Sequence, residues 1–233
     1  MQNLNDKYIQ DFNTALNIYE NDYSHADLIT FLKNGSDVEK QIAALKLDKI
    51  NSQEEAGILM NNLTGCDGKI REAVSFRLKE FLQDNPQLYI KYSDIFIEAV
   101  IDINGNICRN TIYALQYLKE YNTFSHEFCT KLKEKTIPSA KKVKEFNIQE
   151  GKYKINKEIF KLYWYLETIY EFSDFYKISD LKQIILETKD IAEYTIREKT
   201  AKILSKIDKD KELKQIQQEL KYDSNYYVRR FSK

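Results

Sequence analysis

Residues that form tight turns are scarce in this sequence. Its 233 residues include only six glycines and two prolines, far below the roughly 7% and 5% of average usage. Turn-dense β-sandwiches and propellers, and Gly-rich nucleotide-binding folds, are therefore disfavoured. No apolar run approaches the roughly 18 residues that a membrane span needs, so no membrane partner is expected. With 42% hydrophobic and 31% charged residues, the composition predicts a soluble helical protein.

Cysteine is also scarce. Cys66, Cys108 and Cys129 are widely spaced and form no C-x-x-C pair, so neither a disulfide framework nor a zinc site is indicated. The first residues contain neither the basic stretch nor the apolar stretch of a signal peptide. These absences predict a reducing, cytoplasmic location, and no metal or cofactor is expected.

Apolar residues recur at i, i+3, i+4 and i+7 along most of the chain, which predicts about ten helices of ten to eighteen residues. Clean strand alternation is nearly absent. Polar side chains that can accept from the free N–H groups of a first turn mark the expected helix starts. These expected N-caps are Ser24, Ser36 or Asp37, Ser52, Asp67, Ser93, Ser125, Asn156 and Ser179.

Other local signals support the same helices. Ser52-x-x-Glu55 has the spacing of a capping box. Gly35 and Gly65 follow apolar stretches, where a left-handed C-cap is expected. Pro86 fits a helix start, whereas Pro138 should end or kink the helix around it.

The chain contains internal repeats. Residues 70–81 and 196–207 share Ile-Arg-Glu, followed by apolar residues eight and eleven positions after the isoleucine. Residues 104–118 form a third copy, because Asn-Gly-Asn-Ile echoes Asp-Gly-Lys-Ile at residues 67–70. A looser copy spans residues 38–50, and residues 223–230 open the pattern again. Such repeats of helical pairs predict a solenoid.

These segments resemble the second helix of HEAT repeats, whose signature is an Asp in the turn followed by Val-Arg. Asp223 and Val228-Arg229 match that spacing, whereas Asp67 lies too close to its Arg and Cys108 replaces the Arg of the third copy. The resemblance implies an all-α, right-handed α–α superhelix of about five helical pairs. We expect a single HEAT-like solenoid domain over residues 1–233, with an irregular middle section at about 123–175.

In this architecture the second helices line a concave side, which generally binds protein segments or nucleic acid. On a helical wheel, Phe76 lies away from the core face of its helix. Tyr113 occupies the equivalent position in the third copy, and Tyr117 follows one turn later. Aromatics in register would grip a peptide or a base. The alternative, which we favour, is that an inner helix needs a wide apolar face and buries these rings.

Arginines recur in the repeats at residues 71, 197 and 229. Arg71, Arg197 and Arg229 would form either a basic stripe or, as we favour, a structural ladder to turn carbonyls and to acidic side chains between adjacent repeats. Arg230 is freer to contact a partner. Because the sequence stops soon after it, self-association through the C-terminal end is a further prediction.

Charge is uneven although it sums to zero. The net charge is +6 over residues 131–161, −4 over 162–195, +5 over 196–233 and −7 over the first 130 residues. The basic C-terminal half, with Lys141, Lys142 and Lys144, would suit a phosphate backbone. The alternative, which we favour, is a solvated Lys-rich surface.

No catalytic constellation is specified. His25 and His126 have no Cys or carboxylate at ligand spacing and are expected to have surface or capping roles. Cys66 and Cys108 lie near helix starts, where the pKa of a thiol can be lowered, but we favour small buried side chains. The sequence therefore predicts a non-enzymatic protein–protein interaction scaffold.

Two alternatives remain. One is nucleic-acid binding related to the HEAT-like DNA alkylation repair glycosylases, which place Trp, Asp and Arg in the groove. Here Trp164 is the only Trp, and no Asp or Arg motif aligns with that family. The other is an adaptor or immunity-like protein that titrates one cognate partner, with the acidic first 130 residues docking a basic protein.

Overall fold

A computed structural model describes residues 4–146, 152–207 and 210–232. The helices of these residues are α1 (Leu4–Glu20), α2 (His25–Asn34), α3 (Asp37–Lys46), α4 (Gln53–Asn61), α5 (Gly68–Asp84), α6 (Ser93–Ala99), α7 (Gly105–Ala114), α8 (Asn122–Glu145), α9 (Lys152–Glu171), α10 (Ile178–Thr188), α11 (Tyr194–Leu204), α12 (Lys211–Leu220) and α13 (Tyr226–Phe231). Short 3₁₀ helices span Pro86–Tyr89, Leu115–Leu118 and Ser173–Phe175. No strand occurs in the described residues, so the predicted all-α class is confirmed.

The chain groups into two compact units, Met1–Leu118 and Lys119–Lys233. The single domain expected over residues 1–233, and the handedness of its superhelix, stay predictions.

Helices of the first unit lie in two rows. One row contains α1, α3, α5 and α7, and each of these helices packs against the next. The other row contains α2, α4 and the 3₁₀ helix Pro86–Tyr89. Since the rows take alternate helices along the chain, the unit is a stack of helical pairs, as the repeats predict.

The second unit has the same arrangement. Helices α9, α11 and α13 form one row, and α8 packs against α10 beside it. The middle section expected to be irregular supplies α8 and α9, which pack against each other like a repeat but are longer, at 24 and 20 residues. Residues 147–151, which belong to the basic stretch of residues 131–161, lie outside the described residues.

The predicted core face of α5 is confirmed. Ile70, Val74, Leu78 and Phe81 are all buried, at the three- and four-residue spacing of one helix face. Burying each such side chain contributes about 1.5–3 kcal/mol. The apolar spacing therefore predicts which side of α5 faces the core.

Four of the predicted N-caps are confirmed. The side chains of Ser24, Ser36, Ser52 and Asp67 each accept a backbone N–H in the first turn.

The other four N-cap predictions are wrong, because in each case the polar residue lies within the helix and does not precede it. Ser93 is the first residue of α6, whereas Ser125, Asn156 and Ser179 lie inside α8, α9 and α10. Ser125 is buried, and its hydroxyl donates to the Lys119 carbonyl at 3.2 Å.

Two other local predictions are also wrong. Only half of the capping box at Ser52 is formed. The Glu55 carboxylate accepts from the backbone N–H of Asn51 at 2.8 Å, whereas a complete box requires the N–H of Ser52. Gly65 has the expected left-handed φ of 73°, but Gly35 has φ −71°. A Cβ at Gly35 would lie 2.6 Å from the Phe31 carbonyl oxygen of α2 and 2.7 Å from the Cβ of Glu39 in α3. This glycine therefore serves a close approach between α2 and α3.

The two prolines behave differently. Pro86 begins a 3₁₀ helix directly after Asn85, as predicted. Pro138 does not end its helix, because α8 continues to Glu145. The residues beyond it bury Ala140 and Val143, and this burial offsets the backbone hydrogen bond that a proline removes.

Candidate interaction surface

The outward side of three neighbouring helices in the first unit carries exposed apolar side chains. Phe76 on α5 is 65% exposed and Tyr113 on α7 is 57% exposed, while Leu45 on α3 is also exposed. We call the rings of Phe76 and Tyr113, together with the aliphatic side chain of Leu45, the aromatic row. The interpretation that a wide apolar face buries these rings is wrong, since α5 and α7 complete their packing without them. Their role in binding stays a prediction.

Polar contacts between α5 and α7 fix the spacing of the row. The ammonium of Lys79 lies 4.8 Å from the centroid of the Tyr113 ring. In the 3₁₀ helix that follows α7, half-buried Tyr117 donates its hydroxyl to the Gln83 side chain of α5 at 3.2 Å. The hydrogen bond with the Tyr113 hydroxyl raises the pKa of Lys79, so Lys79 remains cationic beside the ring.

Further contacts join the other sides of these helices. The Arg77 guanidinium donates to the Leu45 carbonyl, which links α5 to α3. The Asn106 amide donates to the Glu72 carboxylate at 3.0 Å, which links α7 to α5. Phe76 borders a groove of about 480 Å³ between these helices. The aromatic row therefore lies on cross-linked helices beside a concave feature.

Helix α1 carries a second exposed apolar stripe, which sequence reasoning missed. Its members are Tyr8, Ile9, Phe12, Leu16 and Tyr19, of which Tyr8 and Tyr19 are more than 70% exposed. The spacing of residues 8, 12, 16 and 19 was a visible signal of one helix face. It gave no indication that this face is exposed in the fold.

Lys46 holds α1 against α3. Its ammonium donates to three carbonyls at the C-terminal end of α1, those of Ile18 at 2.8 Å, Tyr19 at 3.1 Å and Asn21 at 2.8 Å. Ile18 is buried beneath this contact. A cation at a helix C-terminus is also favoured by the helix dipole, so α1 is fixed without using its exposed stripe.

The repeat arginines form the predicted structural ladder. In the first unit, Arg71 donates to the carboxylate of Asp102, in the turn of the next repeat, at 2.7 and 3.3 Å. It also donates to the Cys66 carbonyl of its own turn. The alternative of a free basic stripe is therefore wrong for Arg71.

The second unit repeats this ladder contact. Arg197 donates to the carboxylate of Asp223 at 2.7 and 3.1 Å, and to the carbonyls of Ile191 and Ala192. Arg229 donates to the carbonyls of Asp223 and Ser224. Neither guanidinium is therefore left as part of a free basic stripe.

Sequence reasoning did not identify Asp102 as a ladder residue. The signal was an Asp two residues before a helix N-cap, since Asp102 precedes Asn104 as Asp223 precedes Asn225. Each Asp also accepts the backbone N–H of its Asn. Cys108 stands where Arg229 stands, and its thiol contacts the same turn carbonyl, that of Asp102, at 3.1 Å.

The predicted basic residues are partly engaged by acids of their own unit. Lys142 pairs with Glu158 at 3.1 Å and Lys144 pairs with Glu187 at 3.4 Å. Lys141 is exposed. The contacts of Lys142 and Lys144 reduce the positive charge that this stretch offers to a phosphate backbone.

Trp164 and Arg230 differ in exposure. Trp164 is 8% exposed and packs edge-on against the rings of Phe160 and Tyr163. Its ring is therefore not presented to a base or a peptide. Arg230 is exposed, with its guanidinium carbon 5.8 Å from the Phe231 ring centroid. Self-association near it stays a prediction.

The histidines and cysteines show no reactive arrangement. His25 contacts the Glu55 carboxylate at 3.0 Å, and His126 packs edge-on against the Phe175 ring. Burial raises the pKa of the Cys66 thiol, and it raises the pKa of the Cys108 thiol to about 12. The alternative of a thiol with a lowered pKa is therefore wrong.

Two features are absent from the parts of the chain that the structure describes. No three His, Cys, Asp or Glu side chains there come together as a metal site. None of the helices there combines the length and the apolar character that crossing a bilayer requires.

No family model and no curated protein matches the chain. An engineered protein solved by the Northeast Structural Genomics Consortium aligns with a TM-score of 0.45 and 10% identity, over 91% of this chain and 94% of its own. The archaeal HEAT-like repeats protein from Thermococcus onnurineus NA1 aligns with a TM-score of 0.36 and 13% identity, over 91% and 95%.

Proposed function

We propose that this protein is a non-enzymatic scaffold that binds a protein partner through the aromatic row of its first unit. One observation carries the proposal: Leu45, Phe76 and Tyr113 lie on three successive row helices and remain exposed. Exposed apolar side chains grouped on neighbouring elements mark interaction surfaces.

The chemistry of the row suits a peptide or a helix of another protein. Aromatic anchors in well-packed surroundings contribute most of the binding energy at protein interfaces. The contacts of Lys79 with Tyr113 and of Arg77 with Leu45 fix the helices before a partner arrives. Binding to a preorganised surface costs less conformational entropy.

Nucleic-acid binding receives less support. Lys142 and Lys144 have acidic partners, Arg229 is bonded to turn carbonyls, and Trp164 is buried. Anisotropy titration with labelled duplex and single-stranded DNA at two salt concentrations would test this alternative. Tight binding that weakens steeply with salt would favour it over the scaffold.

The scaffold is tested by selecting a displayed library of random 15-residue peptides on the full chain. Affinities of the enriched peptides are then measured for the wild type and for the double variant F76A/Y113A. Truncating one anchor worth about 2 kcal/mol weakens binding about thirtyfold, so the double variant should weaken it by at least that factor, and by about a thousandfold if the two effects add.

The control is the double variant I103A/Y222A, which truncates two side chains that are also highly exposed but lie outside the row. It should bind as the wild type does. Equal affinity for the wild type and for F76A/Y113A, or no enrichment at all, would count against the proposed function.

A further inference from the structure

We propose that the groove along α1 binds a basic segment of a protein partner, in which Lys or Arg side chains lie beside an apolar one. This inference rests on the proposed function, because the groove shares Gln41 and Lys69 with the groove at Phe76. It adds the chemistry of the partner.

Two aromatic rings form one wall of the groove. Tyr8 and Phe12 project from α1, and the opposite wall is formed by the first turns of α3 and α5. The groove has a volume of about 320 Å³. Since Lys46 and Ile18 already attach α1 to α3, both rings are available on a fixed helix.

Carboxylates flank these rings. Asp11, Asp37 and Asp67 line the same groove, and Lys69 is the only cation among its lining residues that the structure describes. Asp67 is used as the N-cap of α5. Among the described residues, Asp11 and Asp37 form no hydrogen bond through their side chains and no ion pair.

These carboxylates determine what can occupy the groove. A segment that covers Phe12 must also remove water from Asp11 and Asp37. Burying an unpaired carboxylate is costly, whereas a cation from the partner offsets that cost. A neutral or acidic segment would offer nothing to offset the desolvation of these carboxylates, so the occupant must carry Lys or Arg next to its apolar side chain.

The charge of the whole unit favours the same partner. Met1–Leu118 contains eleven Lys and Arg against seventeen Asp and Glu, a formal net charge of −6. Such a field raises the association rate of a basic partner and disfavours acidic ones.

The experiment uses the same random 15-residue library on the full chain, followed by affinity measurement at 50 and 300 mM salt. Enriched peptides should be net basic and contain at least one aromatic or branched apolar residue. The double variant D11N/D37N should bind them about five- to tenfold more weakly at low salt, the scale of two exposed ion pairs. The variant F12A should also weaken them.

The matched control is D48N/E98Q, which removes the same formal charge from exposed positions outside the groove. It should change affinity less than twofold. If the control lowered peptide affinity as much as D11N/D37N does, only the long-range electrostatic field would matter, and the groove would not be the binding site. Enrichment of neutral or acidic peptides, or of none, would overturn the inference as well.

Two outcomes separate this inference from the function on which it rests. Peptides that lose affinity for F76A/Y113A but not for D11N/D37N would refute the groove and leave the scaffold standing. The other outcome concerns a second copy of the chain, whose Lys-rich regions could occupy the groove. Sedimentation showing self-association that D11N/D37N abolishes would make that copy the occupant and would refute the proposed segment.

Discussion

Removing the carboxylate of Asp223 is the most direct perturbation of the arginine ladder. This side chain is 8% exposed, and it accepts from Arg197 at 2.7 and 3.1 Å and from the Asn225 backbone N–H at 2.7 Å. The variant D223A leaves the guanidinium of Arg197 with its two turn carbonyls. Breaking a buried pair costs about 3–5 kcal/mol, and we expect about 2–3 kcal/mol because those carbonyls remain.

The variant D223N keeps an acceptor for the Asn225 N–H but loses the charge, so it should cost about 1–2 kcal/mol. Urea unfolding followed by circular dichroism at 222 nm measures both variants. For a chain of this length, 2–3 kcal/mol corresponds to a fall in Tm of roughly 5–10 °C. A double-mutant cycle of R197A with D223A should show coupling of about 1.5–3 kcal/mol. A destabilisation by D223A below about 0.5 kcal/mol, or a strictly additive cycle, would refute the ladder.

The pH dependence of this contact has a definite sign. Hydrogen bonds from Arg197 hold the pKa of Asp223 below its ordinary value. The contact therefore stabilises the fold fully above the unfolded-state pKa of about 3.9, and the stabilisation is lost as the pH falls through the lower folded-state pKa. The difference in unfolding free energy between the wild type and D223N should stay constant from pH 7 to 5 and shrink on further acidification.

Three further predictions follow from the packing. The variant K46A should accelerate amide hydrogen exchange across α1 by about tenfold or more, because hydrogen bonds from a charged donor are lost, and exchange in the other helices should not change. Unchanged exchange in α1 would contradict the role of Lys46 in holding that helix. A thiol reagent at pH 8 should label half-buried Cys66 slowly, and should label Cys108 only on unfolding; rapid labelling of Cys108 in the folded protein would contradict its burial. Trp164 should resist acrylamide quenching and emit at short wavelength; solvent-like quenching would contradict the packing of α9.

Much of the fold can be predicted from this sequence, because one-sided apolar spacing and repeat register are local signals. The core face of α5 and the equivalence of Phe76 and Tyr113 follow directly from them. Helix starts are harder to predict. Ser125 is a residue type that favours the N-cap position, yet its helix starts three residues earlier and buries it.

The interaction surfaces are less accessible to sequence reasoning. The partner of Arg71 lies 31 residues away at Asp102. An Asp two residues before an N-cap is a local signal, but only the packing of α7 against α5 brings Asp102 to Arg71. The apolar stripe of α1 shows that one side of the helix differs from the other. Only the packing of Ile18 and the bonds of Lys46 decide that the side with Phe12 remains exposed.

The ladder also limits how such repeats can be exchanged. Two of the guanidinium groups take a carboxylate from the repeat that follows, Arg71 from Asp102 and Arg197 from Asp223. Deleting, duplicating or grafting a repeat next to Arg71 or Arg197 should therefore cost about 2–3 kcal/mol unless the new neighbour supplies an Asp two residues before its helix N-cap. Lys40 of α3 and Cys108 of α7 stand at the arginine position, four residues after the N-cap, so neither of these helices imposes that requirement.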